Sequence, residues 1–187
     1  MRNLIVIAIT GATGISLAIE LLKVLREKKI ETELIISKVA EEVIGLETDY
    51  KISDLKSLAT KSYRNDQMSA PPASGSHKFK AMVIVPCSMK TLAGIAHGYA
   101  DNLITRAADV AIKEKRTLIL TVRESPFNVI HIKNMLELAK LGVIIAPPIP
   151  SYYIKPKTVD DLTKQIAGRI LDLLKIDSDI KRWGNIE

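Results

Sequence analysis

The sequence predicts an α/β domain, a doubly wound and mainly parallel sheet with helices on both faces. Short apolar runs alternate with amphipathic helical patterns along the chain, the order that builds parallel sheets. The first run, LIVIAI, closes on a glycine-rich turn, TGATG. Small and polar residues interrupt the apolar runs where strands should end.

Each element has its own reason. Leu4–Ile9 carries no polar residue, as expected of a strand covered on both faces. From Ile15 to Lys28, apolar residues at 15, 18, 19, 22 and 25 mark one face of a helix. Thr32–Ile36 is a second strand closed by Ser37, and Lys38–Gly45 opens a second helix. Residues 47–68 are polar, with a short helix expected around Ile52–Ala59. Ala81–Val85 reads as a strand set between two loops of small and hydroxylated residues, PPASGS before it and PCSMKT after it. A helix over Thr91–Gly98 follows, then a strongly periodic one over Asn102–Glu114 with Leu103, Ala107, Val110 and Ala111 inward. Thr117–Val122 is a strand ending at Arg123-Glu124. Val129–Leu141 is a helix, and Gly142 suits its left-handed C-terminal cap. Val143–Ala146 is the last clear strand, and Val159–Leu174 the last helix. No repeat or linker divides the chain, so residues 1–187 read as a single Rossmann-like, flavodoxin-like domain.

Composition narrows the function. The 187 residues suffice for a substantial core, with 47% apolar and 26% charged residues. The opening apolar run is too short to span a membrane and lacks a signal-like cleavage site, so a soluble, cytoplasmic protein is expected. The lone Cys87 excludes an internal disulfide. His77, His97 and His131 show no metal-ligand spacing, so no metal is expected. The net charge of +6 suits an anionic ligand. It would also suit nucleic acid, but the basic residues are scattered and aromatics are only 4%, without the stripe or stacking platform such binding uses.

Open α/β sheets bind ligands at the carboxyl ends of their strands, near the switch point. Those ends carry TGATG, Ser37, PCSMKT, Arg123-Glu124 and PPIPSYY. TGATG presents backbone donors at a helix's positive end, or is simply a tight turn. Ser37, Ser88 and Thr91 serve as helix caps, as ligands, or as both. Arg106 and Lys113 share a helix face with Asp109, which is an ion ladder or a phosphate clamp. Arg123-Glu124 pairs a cation with a carboxylate suited to proton transfer, or is a structural ion pair. Two such loops around the Ala81–Val85 strand look like a cradle for a flat, phosphorylated cofactor.

Taken together, TGATG, ISK with Ser37, LETD with Glu47, PPASGS, PCSMKTLAGIAHGYADNLITRAADV, VRESPF, the PPIPSYY loop and Arg182-Trp183 run in order across nearly the whole chain. In this the sequence resembles the UbiX-type flavin prenyltransferases. The resemblance implies transfer of a dimethylallyl group from dimethylallyl phosphate to reduced FMN without a metal, with closure of a fourth ring. It also implies delivery of the prenylated FMN to a UbiD-type decarboxylase. It implies a dodecamer with active sites between subunits, to which the C-terminal helix and tail, about 158–187, would contribute contacts. By position, Gly11, Ala12, Thr13, Ser37, Ser88, Met89, Lys90, Thr91 and Arg123 would contact the flavin. Arg106, Lys113, Tyr153 and Arg169 would surround the prenyl phosphate, with Arg106 also near the flavin. Glu47, Ser88 and Glu124 form the expected catalytic set. Glu124 would pass a proton to the departing phosphate or take one from the ring at closure.

Two positions depart from the family pattern: Thr13 replaces the usual serine, and Gln67-Met68-Ser69 stands where many relatives carry an aromatic. The flavin-dependent cysteine decarboxylases are the nearest alternative, but they write PASANT in place of PPASGS and need an early histidine. The first histidine here is His77. A non-catalytic flavin carrier would not need Glu124, Tyr153 and Arg169 together.

Overall fold

The computed structural model describes residues 3–184. Its sheet has six strands, all parallel: β1 Leu4–Ile9, β2 Glu31–Ile36, β3 Lys61–Arg64, β4 Ala81–Cys87, β5 Thr117–Val122 and β6 Ile144–Ile145. The spatial order is β3-β2-β1-β4-β5-β6. Without the short edge strand β3, this is the flavodoxin order; with it, the order is that of the dinucleotide-binding folds. The doubly wound expectation holds. The helices are α1 Ile15–Glu27, α2 Lys38–Glu47, α3 Ile52–Leu58, α4 Met89–Ala96, α5 Leu103–Lys113, α6 Val129–Lys140 and α7 Val159–Leu173.

Strand alternation divides the core in two. Ile5, Ile7 and Ile9 point to the face covered by α1, α2, α3 and α7. Leu4, Val6 and Ala8 point to the face covered by α4, α5 and α6. Because both faces are dry, β1 and β4 are buried at every position, which is why their sequences are unbroken apolar runs.

Three details correct the sequence expectations. β3 was not anticipated, because KSYR is a mostly exposed edge strand without an apolar face. β4 continues through Pro86 to Cys87, which pairs with Val122 on β5. α4 then begins at Met89, not Thr91, so PCSMKT is not a loop: Ser88 alone links strand to helix. Of the C-terminal segment about 158–187, residues 185–187 lie outside the described part, as do residues 1 and 2.

Candidate active site

The carboxyl ends of β1 and β4 lie side by side at the switch point, and their hydrogen bonds knit them together. The Thr10 hydroxyl donates to the Pro86 carbonyl at 2.8 Å and accepts the Ser88 N–H at 2.8 Å. On the flanks, Ser37 N–H reaches Ile9 O at 3.0 Å and Arg123 N–H reaches Cys87 O at 3.1 Å. Gly11, Ala12, Thr13, Ser37, Ser88 and Arg123 therefore share one rim on one chain.

The glycine-rich turn has two structural reasons. Gly14 adopts φ 111°, the left-handed region that glycine enters without strain. A Cβ on Gly11 would lie 2.3 Å from Val39 Cγ1, so close packing of α2 already requires glycine there.

Glu47 reaches this turn from the end of α2. One carboxylate oxygen accepts the N–H groups of Gly14 and Ile15 at 2.9 and 3.0 Å. An anion therefore already occupies the positive end of α1. Burial works against ionising this carboxyl. The Thr13 hydroxyl, the Ile15 and Gly14 amides and the Arg123 charge outweigh it and hold the carboxyl below its usual range.

The amino ends of α2 and α4 differ. Ser37 caps α2, its hydroxyl accepting Ala40 N–H at 3.1 Å, so capping is realised there. Ser88 occupies the same place on α4 but makes no side-chain cap. Its hydroxyl lies 3.2 Å from the Thr91 hydroxyl. The first-turn amides of α4, from Met89 to Thr91, have no capping side chain, which leaves an anion site beside two hydroxyls. Lys90 is exposed on that turn.

Arg123 and Glu124 open an exposed stretch that runs to Ile130. The Glu124 carboxylate accepts its neighbour's amide, Ser125 N–H, at 3.0 Å. Phe127, Val129 and Ile130 in this stretch are 39, 63 and 62% exposed, and Ile132 and Leu136 continue the apolar surface along α6.

The other four predicted residues lie elsewhere. α5 starts at the carboxyl rim, where Leu103 N–H binds Asn65 O at 2.8 Å, and runs back beneath the sheet. Lys113, seven residues beyond Arg106, stands about 10 Å further from the rim. Arg106 pairs with Asp109, but Lys113 pairs with its neighbour Glu114 and not with Asp109, so only the first rung of the expected ion ladder forms. Arg106 Nε also donates to Ala73 O at 3.1 Å, in the PPASGS loop.

Tyr153 and Arg169 belong to the C-terminal unit on the opposite face. Gln165 Nε2 donates to the Tyr153 hydroxyl at 3.3 Å, and Trp183 meets the Tyr153 ring edge-on at 5.4 Å. Arg169 pairs with Asp172 at 2.6 Å and lines a hollow of about 240 Å³ with Ala146, Pro147, Ile149 and Ser151. The sheet thus separates Arg106 and Lys113 from Tyr153 and Arg169.

Comparison with known proteins decides the family. The Flavoprotein family matches residues 1–171. The flavin prenyltransferase UbiX of Methanocaldococcus jannaschii is 51% identical over 183 residues, covering 97% of this chain and 99% of that one. The chain belongs to the UbiX-type branch of the flavoproteins. The crystal structure of AnUbiX (PadA1), in complex with FMN and dimethylallyl pyrophosphate, superposes with a TM-score of 0.98 at 47% identity, all of both chains covered. A dodecameric FMN-dependent UbiX-like decarboxylase from Escherichia coli O157:H7 gives 0.95 at 44% identity over 96% of this chain and 98% of that one.

The rim is compatible with the flavoprotein assignment: small residues in the TGATG turn, uncapped amides and hydroxyls on α4, and the exposed Arg123 cation. Sequence reasoning missed Arg116, which it left among the scattered basic residues. Its guanidinium donates to His77 O and Gly75 O, both at 2.7 Å. Nothing in the local pattern marks it.

Proposed function

We propose that this UbiX-type protein transfers a dimethylallyl group to FMN. The near-complete likeness to AnUbiX, a structure holding FMN and dimethylallyl pyrophosphate, carries this reading. The flavin would lie across the switch-point rim, over Gly11, Ala12 and Thr13. Ser37, the Ser88–Thr91 turn and Arg123 would hold its phosphate and polar edge. In its reduced form the bound flavin supplies the electron-rich ring that accepts the allyl group.

The residues around it do the remaining work. Breaking the allylic carbon–oxygen bond of the phosphate ester leaves a resonance-stabilised cation and sends the electron pair to the phosphate, so the protein's main task is to stabilise the leaving anion. Arg106, Lys113, Tyr153 and Arg169 offer three cations and a phenol for that purpose. Glu124 stands beside Arg123 to carry a proton, either to the departing phosphate or away from the ring at closure. Ser88 and Glu47 complete the catalytic set, Glu47 by fixing the TGATG turn beneath the ligand. Dimethylallyl phosphate is the proposed donor, with the pyrophosphate as its rival.

Arg106 and Lys113 lie across the sheet from Tyr153 and Arg169, so one donor phosphate meets all four only between two copies. The exposed apolar surface of α6, beside Arg123-Glu124, favours such association. A homododecamer in the cytoplasm, handing prenylated FMN to a UbiD-type decarboxylase, follows as part of the proposal, with contacts from the helix and tail after 158. Among the described residues no helix is long and apolar enough to cross a membrane.

The test is a mass measurement. Protein incubated anaerobically with reduced FMN and either donor should yield flavin heavier by one five-carbon unit. Unchanged flavin mass with both donors would sink the reading.

A further inference from the structure

Glu33 places a carboxylate inside an apolar surface. It lies on β2 with its side chain 3% exposed, on the sheet face that carries Ile35, Val6 and Phe79. A buried carboxylate is costly unless its oxygens are fully engaged. Both are engaged here: Tyr63 donates its hydroxyl to one at 3.1 Å, and His77 Nε2 lies 2.9 Å from the other. Tyr63 precedes the PPASGS loop on β3, and His77 follows it immediately, so the buried carboxylate joins the two ends of that loop.

The loop is held from its other side as well. Alternate carbonyls are taken by two arginines: Ala73 O by Arg106 Nε at 3.1 Å, and Gly75 O and His77 O by the fork of Arg116 at 2.7 Å each. The Arg116 guanidinium also lies 4.3 Å over the Phe79 ring. With the carbonyls turned inward, the Ser74 and Ser76 side chains lie outward, their hydroxyls 2.8 Å apart. The loop lies against Lys113 too: a Cβ at Gly75 would stand 2.6 Å from its Nζ.

We propose that Glu33, His77 and Arg116 are positioning residues for the prenyl-donor half of the site. They hold residues 73–77 as a rigid rail along α5, and the rail sets where Arg106 and Lys113 present their charges. This rests on the prenyltransferase reading. Burial alone does not account for Glu33, since an apolar side chain would fill the same place without the desolvation cost. What an apolar side chain would not do is fix the His77 ring.

The experiment uses the assembled, FMN-loaded protein and two readouts. Hydrogen exchange on residues 73–77 should slow when dimethylallyl phosphate is added to the wild type, and His77→Ala should abolish that protection. In steady-state assays, His77→Ala and Arg116→Gln should lower kcat/KM for the donor about tenfold or more, as losing hydrogen bonds to charged groups does, with FMN affinity within about twofold. His77→Gln, which keeps a donor amide, should recover most of the loss. No protection of 73–77 in the wild type overturns the proposal even if product forms. So does a variant in which FMN affinity falls together with donor affinity, since that reports a damaged fold. Protection lost in His77→Ala while the wild type makes no prenylated flavin would refute the transfer reading and leave the positioning role supported.

Discussion

Glu47 accepts the backbone N–H of Ile15 at 3.0 Å across a separation of 32 residues, and so ties the end of α2 to the start of α1. The place where related α/β folds seat a ligand phosphate is thereby filled by the chain's own carboxylate. The neighbouring α4 amino end, uncapped and flanked by two hydroxyls, is left for an external anion.

Replacing Glu47 by Gln keeps the shape and removes the charge. Stability should fall by about 1 kcal/mol at neutral pH, the usual value of a charged group at a helix amino end. Since folding lowers the Glu47 pKa, its contribution is complete above the ordinary carboxylate range and fades as pH falls through the lowered value. Thermal unfolding across pH should show wild type and Glu47→Gln diverging near neutrality and converging in acid. A constant gap at every pH would mean that the charge is not the cause.

Arg123 is exposed, and its backbone N–H supplies its link to β4 through Cys87 O. Arg123→Gln should therefore leave thermal stability nearly unchanged while weakening FMN binding about tenfold to a hundredfold, the effect of losing one charge-assisted hydrogen bond. Titration with quenching of flavin fluorescence measures it directly. Tight FMN binding by the variant would move the flavin away from the end of β5.

The separation of Arg106 and Lys113 from Arg169 by the sheet gives a complementation test. Lys113→Gln and Arg169→Gln proteins should each be nearly inactive. Co-assembled in equal amounts, they should regain roughly a quarter of wild-type activity, because random pairing at a heterologous interface leaves that share of sites intact. Two inactive variants that stay inactive after mixing would show that both residues serve a site within one chain.

Much of this was legible in the sequence because buried parallel strands are written as unbroken apolar runs, as in Leu4–Ile9. The edge strand β3 was not, since Lys61, Ser62 and Arg64 are exposed and carry no burial signal. The strand ends were readable as polar interruptions, but not what each residue does there. Ser37 is a realised cap, Ser88 in the equivalent place is not, and only the geometry separates them. Gly11 reads as room for a ligand, whereas Val39 already requires it. Contacts between distant segments, such as Glu33 with His77, leave no local periodicity. The shared face of Arg106 and Lys113 was correctly given by spacing, yet spacing could not show that Tyr153 and Arg169 lie across the sheet.

The C-terminal tail rests on one glycine. A Cβ at Gly168 would overlap Ile180 Cγ2 and press on its Cβ at 3.3 Å, so the Ile180 side chain or the tail that carries it must shift. The same tail carries Arg182, whose hydrogen bonds, with those of Ser178 and Arg169, hold the Asp172 carboxyl far below the usual range. It also carries Trp183, packed against Tyr153. Gly168→Ala should therefore cost about 1–3 kcal/mol, the usual range for overpacking. The displaced tail should free Tyr153 and Arg169, raising the KM for the prenyl donor. FMN binding, proposed at the strand ends of β1, β2, β4 and β5, should be preserved. Trp183 is the chain's single tryptophan, so its emission reports the tail directly. An unchanged melting temperature together with unchanged Trp183 emission would show that the tail does not depend on Gly168.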